Sequence, residues 1–284
     1  MLLDVMHSDS RYLLDNAAPE TERRFASLET LYDPTTFDHL AATGVGAGWR
    51  CLEVGAGGGS ITRWLARRVG PSGGVLATDI DPRWLDRGGA SNIEVRRHSI
   101  AHEDLPEAAF DLVHARLVLI HVPERAAALR RMAAALRPGG WLVLEDFDVR
   151  LLPYCLDVRG PGEELANRVW DAFSTLLETR GADTSYGRKL PRLVREAGLV
   201  DVRAEARMAF APGGSPGAEL LHSNVDQVGD ELLARGLATA GDLAAYRELL
   251  RDPEFDLTLH LMVSVTGRRP ASPPPGERNL IPNS

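Results

Sequence analysis

The feature that most constrains this chain is the stretch Cys51-Leu52-Glu53-Val54-Gly55-Ala56-Gly57-Gly58-Gly59-Ser60, where a short β run from Trp49 to Val54 ends in a glycine turn. The turn opens a helix with Ile61, Trp64, Leu65 and Val69 on one face. Strand, glycine loop and helix in this order form a nucleotide-binding arrangement. Without Cβ atoms, Gly55, Gly57 and Gly59 let the backbone turn sharply and press against a ligand that the N–H groups of the next helix face. Many α/β proteins turn tightly at this point for packing alone, so the residues that follow have to discriminate.

They do so by rhythm. After the Gly70-Pro71-Ser72-Gly73-Gly74 turn, strands are predicted at 75–79, 93–97, 110–115 and 141–145. Asp81-Pro82 is a cap-plus-proline start for a short helix through Leu85, and Leu129, Met132, Ala133 and Leu136 give another helix its apolar face. Five alternating βα units imply a parallel, helix-covered sheet. Before them, 19–31 reads as one helix and Asp33-Pro34 as the start of a second, running to about Thr43. Beyond them, helices are expected near 162–178, 189–197, 218–235 and 242–250, with strands at 200–210 and 255–266 and a mobile, proline-rich tail over 268–284.

At 284 residues the chain can bury one sizeable core with an appended helical cap. A net charge of -8 would repel phosphate backbones and anionic lipid heads, which argues against nucleic acid and membrane partners. No apolar run approaches a membrane span and no basic-then-apolar leader opens the chain, so a cytoplasmic protein is expected. Cys51 and Cys155 have no metal-ligand spacing and read as reduced, packed thiols, and no metal is expected.

From Trp49 to Trp141, and more loosely to Thr266, the chain resembles the class I S-adenosylmethionine-dependent methyltransferases. Three motifs carry the resemblance in order: Glu53-Val54-Gly55-Ala56-Gly57-Gly58-Gly59; Ala77-Thr78-Asp79-Ile80-Asp81; and Phe110-Asp111-Leu112-Val113 followed by Arg137-Pro138-Gly139-Gly140-Trp141. The resemblance implies an α/β, Rossmann-like, seven-stranded, mostly parallel sheet with an antiparallel last strand and helices on both faces. It also implies an N-terminal helical lid (1–48), a cofactor-binding core (49–149), helical cap insertions (150–187 and 211–253), core segments at 188–210 and 254–267, and the tail. S-adenosylmethionine is the implied cofactor, with Glu53, Gly55, Ala56, Gly57 and Gly59 around its amino-acid end and Asp79 and Ile80 at the ribose. Ser99 and Ile100 would meet the adenine, where the family often has an acidic residue; Asp104 is an alternative. Arg116, after strand four, and Tyr12, in the lid, complete the implied cofactor contacts. Physics supports Asp79 independently, since a carboxylate ending a strand about 20 residues after a glycine loop lies where nucleotides reach in open α/β sheets.

Methyl transfer needs alignment more than covalent help, and a base when the acceptor is a hydroxyl. His121 is the candidate base because it follows the C-terminal end of strand four; it also fits as a packed or capping residue. Asp146, with Asp148, is the alternative, and either also fits as a solvated loop residue. Trp170 and Phe173 suit an apolar pocket or simple core. The expected function is transfer of a methyl group to oxygen, less readily nitrogen or carbon, of a hydrophobic or aromatic small molecule in bacterial secondary metabolism, in a possible homodimer. A cofactor-binding scaffold without turnover is one rival. A nicotinamide oxidoreductase is another, disfavoured because Ser60 stands where its fingerprint needs glycine.

Overall fold

The computed structural model describes residues 13–14, 16, 18–150 and 161–271; Tyr12, Cys155 and the tail beyond 271 lie outside them. In chain order the strands of the core are β1 (Arg50–Val54), β2 (Gly74–Asp79), β3 (Ile93–Arg97), β4 (Phe110–Arg116), β5 (Leu136–Asp148), β6 (Val200–Arg207) and β9 (Leu261–Arg268), with a short β7 (Phe210–Pro212) and β8 (Asp256–Thr258) between the last two. The sheet order is β3-β2-β1-β4-β5-β9-β6. β9 runs antiparallel to both neighbours, and the β1 to β5 pairings are parallel. β1 is the first strand built and the order reverses beside it, so the crevice outside its C-terminal end is the expected ligand position.

Period-two alternation sorts the core into two faces. Leu52, Val54, Val113, Ala115, Leu142 and Leu144 pack under α3 (Arg125–Ala135) and α5 (Tyr186–Glu196). Cys51, Leu112 and Val143 pack under α2 (Ser60–Val69) and the second half of α1 (Thr21–Ala42). A third apolar cluster lies beyond the sheet, where α4 (Pro161–Thr179), α6 (Pro216–Ala234) and α7 (Ala240–Leu249) bury Leu176, Leu221, Tyr246 and Phe255 against one another. The two predicted insertions thus share one core.

Three expectations are corrected. The two helices expected over 19–43 are one, since α1 runs unbroken through Asp33 and Pro34. Asp33 does not cap a helix there: its Oδ1 accepts from Arg116 Nη2 at 2.8 Å. The strands expected at 200–210 and 255–266 are each cut in two, because Leu257 and Leu259 are drawn into the helical cluster while Val263 and Val265 stay in the sheet core. One strand cannot serve both, so β7 and β8 form a separate ribbon. The helix after β2 is a single 3-10 turn, Pro82–Trp84, capped by Asp81 as expected.

Candidate functional site

The C-terminal ends of β1, β2 and β4 open into a cavity of about 680 Å³. Local geometry builds its first wall. Gly55 has φ +72°, and a Cβ there would overlap a methyl of Val118. Gly59, at φ +81°, turns the chain into α2 behind the residues that line the cavity. Gly55, Ala56 and Gly57 do line it, as do Glu53, Ile80, Ser99, Ile100 and Arg116. Asp79 is 7% exposed. Its Oδ2 accepts from Gly57 N–H at 3.0 Å and its Oδ1 from Asp81 N–H at 2.9 Å, which fixes the carboxylate with lone pairs left for a ligand. Burial raises its pKa, and these two amides work against the rise.

Near Ser99, expected at the adenine, Asp104 is exposed and pairs with Arg131 at 3.2 Å. Glu103 reaches the strand end instead, accepting from Ser99 N–H at 2.5 Å. Leu117, after β4, has φ +56°, a left-handed conformation that costs a branched residue on the order of 1 kcal/mol, and it sits in the cavity wall.

His121 ends a 3-10 turn (Leu119–His121) and lines the cavity. Burial, with the Arg24 and Arg125 charges, lowers its pKa to about 3, so the ring is neutral at physiological pH. Asp146 is not part of the cavity wall. Its β5 parity matches Leu142 and Leu144, which turns it to the α5 face, where its carboxylate accepts from the Leu119 and Ile120 backbone and burial keeps its pKa well above the usual range. It holds the turn that carries His121 and does not face an acceptor. Asp148 is likewise engaged, by Arg188.

The cavity's far side is apolar: Phe147, Val149, Trp170, Phe173 and Leu220 line it. His260 joins them, stacked on Trp170 with ring centroids 4.0 Å apart, and burial lowers its pKa to about 3. Sequence reasoning gave His260 no role, and the break before β9 that aims it inward carries no local signal. It also missed Arg24, Phe25, Leu28 and Glu29 on α1, which roof the glycine loop. The Phe25-Leu28-Leu31 stripe marked a helix, and the polar residues interleaved with it were the available clue. A Cβ on Gly58 would lie 2.6 Å from Glu29 Oε1, so the roof fits closely.

Under α1 the sheet carries a polar chain that runs from the buried Glu145 out to the exposed Glu205. His39 Nδ1 is 2.8 Å from Glu145 Oε1 and its Nε2 2.8 Å from Glu205 Oε1. Thr36 Oγ1 donates to Glu145 Oε2 at 2.5 Å and Ser264 Oγ to Oε1 at 2.9 Å. Glu53, bonded by the Thr62 hydroxyl, has its pKa pushed up by burial to about 8.

A reversed β9 on an otherwise parallel sheet, with a glycine turn after β1 and a carboxylate ending β2, gives the fold of the class I S-adenosylmethionine-dependent methyltransferases. Residues 52–144 match the model of a methyltransferase domain, and the cofactor is S-adenosylmethionine. The chain is 28% identical to the methyltransferase GfsG of Streptomyces halstedii, over 84% of each. It is 32% identical to the ubiquinone/menaquinone biosynthesis C-methyltransferase UbiE of Pseudomonas putida, over 48% of this chain and 52% of that one, so it spans about half the length of that relative. Phosphoethanolamine N-methyltransferase 2 of Haemonchus contortus, solved with S-adenosylmethionine, shares the fold at a TM-score of 0.50 and 14% identity, over 88% of this chain and 52% of that one. The nicotinamide reading falls with the topology, because β9 breaks the all-parallel second half that a dinucleotide fold uses.

Proposed function

We propose that this methyltransferase acts on an oxygen of a hydrophobic or aromatic small molecule, in bacterial secondary metabolism. The observation that carries the reading is one cavity with two halves, a glycine-and-carboxylate half over β1 and β2 and an apolar, aromatic half under α4 and α6. The cofactor fits the first half: Asp79 presents a pre-oriented carboxylate to ribose hydroxyls, and the backbone around Gly55 to Gly57 leaves room for close approach. When bound it supplies an electrophilic methyl on a sulfonium.

The chain's own residues then do three things. Trp170, Phe173 and Phe147 hold a flat apolar acceptor and exclude water; alignment of this kind supplies roughly 7–11 kcal/mol where geometry is good. His121, neutral, accepts a hydrogen bond from the acceptor hydroxyl. The ring would orient the hydroxyl oxygen toward the methyl that a bound cofactor would supply, and the hydroxyl proton would leave to solvent as the product departs. The name of UbiE adds a C-methylated quinone ring as the alternative acceptor chemistry.

Turnover of labelled S-adenosylmethionine against a panel of phenols, carboxylic acids, quinols and amines tests the reading. Methyl ethers or esters as products are expected. Carbon-methylated products alone would replace oxygen by carbon, and binding without any turnover would favour a scaffold. His121→Asn is expected to lower kcat by about 10- to 100-fold with S-adenosylhomocysteine affinity unchanged; an unchanged kcat removes the hydrogen-bonding role.

A further inference from the structure

A primary amide interrupts the apolar half of the cavity. Asn224 lies on α6 one turn after Leu220, and both line the cavity together with Trp170 and Phe173. The residue is 9% exposed, and its Oδ1 is buried and receives no hydrogen bond from any described residue. Its polar neighbours on α6 are engaged. Ser223 Oγ donates to Glu219 Oε1 at 3.3 Å, Asp226 pairs with Arg247 at 2.8 Å, and Gln227 Nε2 donates to Thr21 Oγ1 at 3.2 Å.

A carbonyl oxygen taken out of water without a donor destabilises the fold, and a leucine of similar volume would fill the same place without that cost. What completes the amide is a donor brought into the cavity. The terminal torsion of asparagine is soft, so a ligand can draw Oδ1 round to face it. Aromatic rings and methylenes offer no such donor, so the acceptor must carry an O–H or N–H besides the oxygen that is methylated. His121 is carried by the turn after β4 and Asn224 by α6, and a flat acceptor lying against Trp170 meets a polar group on each of these two walls.

We propose that Asn224 sets acceptor specificity by accepting a hydrogen bond from a second donor group of the acceptor. The substrate class is thereby narrowed to aromatic molecules with a second hydroxyl or N–H, in preference to those with a single hydroxyl. This rests on the aromatic-acceptor reading above.

Calorimetry on the full chain saturated with S-adenosylhomocysteine tests it. The probes are naphthol, the dihydroxynaphthalene isomers and the matching methoxynaphthols, whose second oxygen accepts but cannot donate. In wild type the best diol is expected to bind about 5- to 50-fold tighter than naphthol and than its own methoxynaphthol. Asn224→Leu is expected to bring that diol to within about twofold of naphthol, to leave naphthol itself within about twofold of its wild-type affinity, and not to lower the melting temperature of the unliganded chain. Diols that bind wild type no better than naphthol or the methoxynaphthols overturn the proposal, as does a variant that keeps the wild-type preference. A lower melting temperature with parallel losses on every probe marks a structural role and also overturns it. If S-adenosylhomocysteine binds and no naphthalene probe does, the aromatic-acceptor reading fails and the proposal with it. If S-adenosylhomocysteine does not bind, the methyltransferase reading fails, and the diol and naphthol pair on the unloaded chain still decides Asn224.

Discussion

Asp79 illustrates how much one residue's neighbours decide. The Gly57 and Asp81 amides hold its two oxygens, so the carboxylate would need no reorganisation to accept the ribose hydroxyls proposed for it. Asp79→Ala is expected to cost about 2–4 kcal/mol of S-adenosylhomocysteine affinity, two charge-assisted hydrogen bonds' worth, measured by calorimetry on a variant whose fold is checked by circular dichroism. An unchanged affinity would sink the ribose assignment. Asp79 was legible in the sequence because its place follows from local facts, a strand end and a glycine turn. Asp146 was misplaced by neglecting parity along β5, which sends it to the α5 face with Leu142 and Leu144. The low pKa of His121 was not legible at all, since burial produces most of it, with the charges of Arg24, far away in sequence, and of nearby Arg125 adding to it.

At the scale of elements, α5 is seated by contact with backbone. A Cβ on Gly187 would stand 2.8 Å from Phe147 C and 2.9 Å from both Asp146 O and Asp148 N. Gly187→Ala therefore forces α5 off β5. The expected loss is about 1–3 kcal/mol in urea unfolding, with an unchanged slope. Because β5 also carries Phe147 into the cavity, acceptor binding should weaken in the same variant, whereas full stability would show that α5 moves freely there. Helix existence was readable from apolar spacing, as at α7, where the structure adds a capping box of Thr239 and Asp242. What spacing could not show was continuity through Pro34 or the break before His260. Both depend on partners far along the chain: Arg116 takes the Asp33 carboxylate, and the helical cluster takes Leu257 and Leu259.

Across the whole molecule, the polar chain under α1 ties the roof of the cavity to β5 and β6. The Glu145 hydrogen bond, with Glu205 adding to it, raises the His39 pKa above its ordinary 6.5. Burial raises that of Glu145, but nearby His114 and His39 outweigh it and leave it low, and Glu205 is lowered first by His39. The signs follow. The His39 contribution is complete below its ordinary value and is lost as pH rises through the raised one, while the two carboxylates contribute above their ordinary 4.5 and lose it as pH falls. His114, kept neutral by burial, and Arg116 and Arg207 also face this chain. Melting temperature scanned from about pH 5 to about pH 10 should decline on the alkaline side in wild type. His39→Gln should flatten that limb and cost about 1–3 kcal/mol near pH 6, by leaving the buried Glu145 short of a donor. Parallel profiles would remove His39 as the clasp.

The sequence by itself determined the βα rhythm, the glycine turn, Asp79 at the end of β2 and the cofactor that goes with them, because each is written in residues within a few positions of one another. Only the tertiary structure decided which face Asp146 takes, that α1 roofs the cavity with Arg24 inside it, and that His260 meets Trp170. Those depend on burial and charge contributed by residues from elements well separated along the chain, and side-chain environment of that kind exists only once the chain has closed on itself.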